Sequence, residues 1–134
     1  MESKDVVAEY FRCIRDRDSD GMRKFFAPDA VKIDYEGSTY SGIEELVPYF
    51  ESGVFRRNFH WHLWDGAEFG PRAADEPVTH LSPLAPMVAE TQTAVEVAVD
   101  TAGGDRYRTI DLFKLDDEGR VKQLLVYKGP HVPS

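Results

Sequence analysis

Asp111 is the residue best placed to do chemistry. In Tyr107-Arg108-Thr109-Ile110-Asp111-Leu112-Phe113 it shares one side of an alternating run with Tyr107, Thr109, Phe113 and Leu115. If that side faces inward, a carboxyl sits among aromatic and aliphatic groups, and desolvation pushes it toward a protonated hydrogen-bond donor near neutral pH. In the opposite phase Ile110 and Leu112 point inward and Asp111 is solvated. Tyr10 stands in an apolar stripe with Val6, Val7, Phe11 and Ile14. A phenol there either lends its hydroxyl to a pocket or reaches a backbone carbonyl. Asp34 alternates with Ile33 and Tyr35, so it points outward if they point inward, unless a bulge before Gly37 rotates it back.

The run Phe59-His60-Trp61-His62-Leu63-Trp64 offers a second set. His60 and His62, two apart on a strand, point the same way. With Glu68 they resemble a metal-binding strand motif of cupins, or they form an ordinary polar strand face. The loose spacing to Glu68 and the lack of a second histidine motif favour the polar face, so no metal is expected. Trp61 and Trp64 read as core or pocket wall. Cys13, beside Ile14 on the first helix, reads as a small buried residue and not as a nucleophile. The sequence has no Gly-x-Ser-x-Gly, phosphate loop or dinucleotide fingerprint. Cofactor-free chemistry is therefore expected.

These groups need elements to hold them. Ser3 is expected to cap a first helix, whose apolar stripe recurs at three- and four-residue steps. After the polar break 16–21, a short second helix turns Met22, Phe25 and Phe26 inward, and Pro28 stops it. Ala30 to Tyr35 alternates as a strand. Ser41-Gly42-Ile43-Glu44 fits a capping box before a third helix bent by Pro48 and ended by Gly53. Strands follow from Phe55. Residues 70–86, with Pro71, Pro77, Pro83 and Pro86, predict an ordered loop or lid. Val95, Val97 and Val99 mark a strand, Gly103-Gly104 a hairpin, and two further strands run from Arg106 to Leu115 and from Arg120 to Lys128. The order predicts an α+β domain in which three N-terminal helices cover one face of a strongly curved, mostly antiparallel sheet. A pocket lies between the layers, and Phe11, Ile14, Phe25, Val47 and Phe50 fill the core.

Composition narrows the partners. The 134 residues, 42% hydrophobic, make one domain over 1–134, and a net charge of −8 argues against nucleic acid or an anionic membrane. The single cysteine excludes an internal disulfide framework. No apolar run is long enough to span a bilayer, and Met1-Glu2-Ser3-Lys4-Asp5 does not read as a secretory signal, so a soluble, cytoplasmic protein is expected.

Three stretches carry a family resemblance: Phe26 to Gly37 continued by Ser41 to Glu45, Thr109 to Val121, and Val6 to Tyr10. Together the chain resembles the ketosteroid isomerase and SnoaL-like branch of the NTF2-like superfamily, with residues 70–86 as an insertion. The resemblance implies a cone-shaped sheet around a deep pocket and a homodimer. It places an aspartate general base on Asp34, and an oxyanion hole on Tyr10 and a protonated Asp111. Tyr35, His60, His62, Trp64, Tyr107 and Phe113 would line the substrate pocket. Lys32 departs from the pattern, where the isomerases have an apolar residue. The expected function is a cofactor-free isomerase or cyclase for a hydrophobic, carbonyl-containing small molecule, such as a polyketide- or terpenoid-like intermediate of secondary metabolism. The alternatives are an epoxide-opening cyclase, a non-catalytic ligand-binding or dimerisation module, and a dehydratase. Scytalone dehydratase-like members use a strand histidine with tyrosines, but here Arg15 stands where they commonly have an aspartate.

Overall fold

Periodic apolar residues wind Val6–Asp16 into α1, whose buried face is Val6, Val7, Tyr10, Phe11, Cys13 and Ile14. In this computed structural model, which describes residues 1–129, a 3-10 turn over Ser3–Asp5 leads straight into α1. Ser3 therefore does not cap the helix: its carbonyl accepts from Thr93 Oγ1 at 2.6 Å. The second helix, α2 (Ser19–Phe25), is capped by Asp18, whose carboxylate accepts from Gly21 N at 2.8 Å. The third, α3 (Ile43–Ser52), contains Pro48 and begins one residue later than the capping box requires. Gly42, at φ 78°, stands at the cap, and Glu45 in place of Glu44 reaches back to Ser41 N at 2.9 Å.

The strands are β1 (Phe26–Ile33), β2 (Thr39–Ser41), β3 (Phe59–His62), β4 (Glu68–Phe69), β5 (Thr79–Pro83), β6 (Met87–Val88), β7 (Gln92–Asp100), β8 (Arg106–Leu115) and β9 (Val121–Lys128). They form one mixed sheet in the order β2-β1-β9-β8-β7-β5-β3-β4, with β6 on β7. The β1–β9 and β3–β5 pairs are parallel and the rest antiparallel. With three helices, the architecture is α+β.

Two strands depart from the expected pattern. β1 starts at Phe26, directly after α2, and its register with β9 shifts between Phe26 and Val31. That irregularity sets the phase beyond it, so Ala30 and Lys32 are buried while Val31 and Ile33 are only half-buried. Within residues 70–86, Thr79–Pro83 is not loop but β5, held between β3 and β7. Thr79, Leu81 and Pro83 take its inner side, and His80 and Ser82 its outer side.

The core joins the helices to the inner side of β7, β8 and β9. Phe50, Val95, Phe113 and Leu124 have no exposed surface, and Phe11, Ile14, Phe25 and Val47 are buried with them. Among the described residues no helix is long and apolar enough to cross a membrane. The segment before β5 is tied to this core by polar groups. Asn58 Oδ1 accepts from Arg72 N at 2.7 Å, and the Arg72 guanidinium donates to Ile14 O at 2.7 Å and Arg15 O at 3.2 Å. These carbonyls lie in the last turn of α1, where Ile14 O also accepts from Arg17 N at 3.3 Å. Arg72→Ala removes the charged donor from both, and we expect it to cost about 2 kcal/mol in a denaturant titration, the scale of hydrogen bonds from a charged group. An unchanged midpoint would show that water replaces the guanidinium.

Candidate active site

Between α1, α3 and the inner side of β1, β7 and β8 lies a cleft of about 440 Å³. One part of its wall is apolar, from Ile14, Val54, Phe59, Leu81, Val97 and Val99; another is polar, from Tyr10, Lys32, Asp34, Tyr49, Arg57 and Asp111. Larger hollows of about 590 and 910 Å³ lie beside Met1. In the first, Arg12 is already bonded to Glu9 and Asp18.

Asp111 faces this cleft because β8 turns Thr109, Asp111 and Phe113 to the inner side. Ile110, 39% exposed, points away. Asp111 lies between Val95 of β7 and Val126 of β9 in register. Desolvation raises its carboxyl from 3.8 to about 6, against the opposing effects of the Lys32 charge and a hydrogen bond from Thr109. At that value the group titrates close to neutrality.

Tyr10 reaches the same cleft from α1, its ring edge-on to Phe113 at 5.1 Å. Burial, then the Asp111 charge, lifts its phenol well above the usual range, so it stays a hydrogen-bond donor. Lys32, only 4% exposed, is the residue the sequence pattern did not promote to the site. Its ammonium is 3.3 Å from Tyr49 Oη and lies over the Tyr49 ring at 4.5 Å and the Tyr40 ring at 5.5 Å. Burial lowers its pKa, while Asp34 and Asp111 act the other way. The one sequence signal was its place two residues before Asp34, where the resemblance expects an apolar residue. Tyr49 and Arg57 were missed as well, and nothing local distinguishes them.

Asp34 follows the end of β1 and lines the cleft, because the irregularity between Phe26 and Val31 shifts the phase of β1 and carries Asp34 round with Lys32. Its Oδ1 accepts from Glu36 N at 3.0 Å and Ser38 N at 2.9 Å, so it also builds the β1–β2 turn. Tyr35 and Tyr107 line the cleft too, with the Lys128 ammonium over both rings.

Four expected lining residues are not there. Phe59 and Trp61 take the inner side of β3, so strand alternation sends His60 and His62 to the opposite side. Trp64 lies beyond the end of β3 and is 37% exposed. Phe113 is sealed in the core behind Tyr10, where no ligand reaches it. Cys13 is buried, and desolvation pushes its thiol up to about 12, which keeps it inert.

The SnoaL-like domain profile matches residues 7–124. Comparison with curated protein sequences gives no match. Among solved structures, a steroid delta-isomerase from Pseudomonas aeruginosa is similar at a TM-score of 0.65 and 18% identity, over 93% of this chain and 77% of that one. The epoxide hydrolase/cyclase-like enzyme SalBIII, of pyran ring formation in the polyether salinomycin, is similar at 0.64 and 21%, over 95% and 90%. An NTF2-like protein of unknown function from Cytophaga hutchinsonii is similar at 0.66 and 12%, over 97% and 92%. At these identities the likeness is one of fold.

Proposed function

The chain belongs to the SnoaL-like domain family, and from that premise we propose that it is a cofactor-free acid–base enzyme, an isomerase or cyclase acting on a hydrophobic carbonyl compound. The observation that carries this reading is Asp111, a carboxyl raised to about 6 that shares with Tyr10 and Lys32 the polar part of a cleft whose other part is apolar. The fold alone would not supply a reaction.

In this reading the Asp111 carboxylate takes a proton from the carbon next to the carbonyl. The electron pair moves to the carbonyl oxygen, and the Tyr10 hydroxyl donates to the enolate that forms. Protonated Asp111 then returns the proton to another carbon, or the enolate carbon attacks a second carbonyl of the substrate to close a ring and Asp111 gives the proton to the alkoxide that forms. Lys32 holds positive charge near both oxygens, and Asp34 offsets that charge at the cleft wall. The base role falls on Asp111, not on Asp34, because Asp34 Oδ1 is already engaged by two backbone N–H groups. The apolar wall suits a polyketide- or terpenoid-like substrate, and the reading includes a strongly curved sheet closing around it.

Deuterium uptake tests this without a known substrate. A panel of hydrophobic enolisable ketones in D2O is expected to gain deuterium above the buffer rate with the wild-type protein and at the buffer rate with Asp111→Asn. Uptake that is equal in the two proteins would contradict the assignment. A second reading, epoxide opening, is favoured by one observation: two carboxylates, Asp34 and Asp111, share the cleft. It predicts hydrolysis or ring closure of an epoxide probe, lost in Asp34→Asn as fully as in Asp111→Asn.

A further inference from the structure

The geometry points to a divalent transition-metal site on the outer side of the sheet, with His60, His62 and Glu68 as ligands and His80 orienting His60. It is separate from the cleft and from the chemistry proposed there. Strand register builds it. Antiparallel pairing sets His62 opposite Glu68, and parallel pairing sets His60 opposite His80. His60 and His62, two residues apart, project to the same side as these partners. Two of the chain's four histidines thus meet one carboxylate at the end of the sheet, and a third, His80, stands against His60.

The distances suit a shared ion. Glu68 Oε1 is 3.0 Å from His60 Nε2 and 3.5 Å from His62 Nε2. One donor atom from each of the three residues lies within 4.8 Å of the other two. Ligands about 2.1 Å from one tetrahedral ion stand roughly 3.4 Å apart, so small side-chain adjustments bring all three onto a common centre. The convergence of two imidazole nitrogens on a single carboxylate oxygen is the feature a plain polar strand face does not require.

His80 completes the arrangement. Its Nδ1 is 3.0 Å from His60 Nδ1, so one of the two nitrogens carries the proton and the other accepts it. When His60 donates from Nδ1, its Nε2 presents a lone pair toward Glu68, which is the tautomer a metal needs, fixed by a partner behind the ligand. The reverse tautomer, with His60 Nε2–H donating to Glu68, gives a metal-free network and is the alternative the experiment discriminates against. Two imidazoles and one carboxylate select zinc, cobalt, nickel or copper over magnesium or calcium, and leave a position open to water. The ion would tie the two-residue edge strand β4 to β3, so its effect is on the sheet edge.

The test is Zn2+ added to chelator-stripped protein. Affinity is read by competition with a chromogenic chelator, stoichiometry by elemental analysis after dialysis, and coordination by the visible absorption of the Co2+ form. One zinc per chain is expected, with micromolar or tighter affinity and a raised thermal midpoint. His62→Ala and Glu68→Gln should each weaken binding by about thirtyfold or more, and His80→Ala by roughly tenfold, the scale for a residue orienting a ligand. His62 and Glu68 side chains are more than half exposed, at 62% and 54%, so their replacement should leave the fold intact, checked by near-UV circular dichroism. The proposal is overturned if the wild-type protein takes up no zinc at about 100 µM, or if it binds equally well after both substitutions.

Discussion

Asp111→Asn is expected to lose roughly 10³ in kcat/KM, within the span assigned to a general base, while becoming more stable than the wild type at alkaline pH. Both effects have one origin. The carboxyl has a folded value of about 6 against 3.8 when solvated, because burial outweighs the help of Lys32 and Thr109. Below about pH 4 the group is protonated whether folded or unfolded, and it adds nothing to the balance. As the pH rises toward 6 the unfolded chain releases the proton first, so stability falls, and above 6 the native state carries the full cost of a buried charge. Two pKa units correspond to roughly 2–3 kcal/mol. Asparagine has no charge to bury, so the variant should gain about that much at pH 8 relative to its position at pH 4. Denaturant titrations at the two pH values check this, alongside the kinetics. A variant that is both inactive and less stable at pH 8 would make Asp111 a structural residue.

Tyr10→Phe is expected to cost about 10²–10³ in rate, the usual scale for removing one oxyanion donor. The ring stays, and with it the packing against Phe11, Phe25, Phe50 and Phe113, so stability should change little. If the hydroxyl acts on the developing enolate and not on the ground-state ketone, kcat and kcat/KM fall together and KM stays near the wild-type value. A rise in KM at constant kcat would instead make Tyr10 a substrate-binding group. Deuterium uptake and steady-state kinetics on the same ketone distinguish the two outcomes.

Much of this arrangement is legible in the residues because their periodicity is local. The stripe from Val6 to Ile14 and the alternation from Val95 to Val99 mark buried faces, while the alternation from Arg106 to Leu115 leaves two phases open, and the structure takes the one that turns Asp111 inward. What the sequence does not reveal depends on partners far along the chain. Lys32 points inward because the pairing of β1 with β9 slips between Phe26 and Val31, a contact separated by some hundred residues. β5 is hidden among prolines because its strand character comes from β3 on one side and β7 on the other. For His60 and His62 the alternation is visible but its direction is not. Trp61, stacked on Phe69 at 4.6 Å and edge-on to Phe11 at 5.3 Å, claims the inner side and turns both imidazoles outward. The same strand registers that take the histidines from the cleft bring them to Glu68 and His80.

The account rests on a carboxyl in the cleft whose basicity has been lifted into the range useful for proton transfer near neutral pH. Its most direct test is a titration of the side-chain carboxyl carbons by 13C NMR, with the Asp111 signal assigned through its absence in Asp111→Asn. A midpoint near 6 is the expected result. A midpoint near 4, the value of a solvated aspartate, would contradict the account, because Asp111 would then be neither desolvated nor suited to carry the proton.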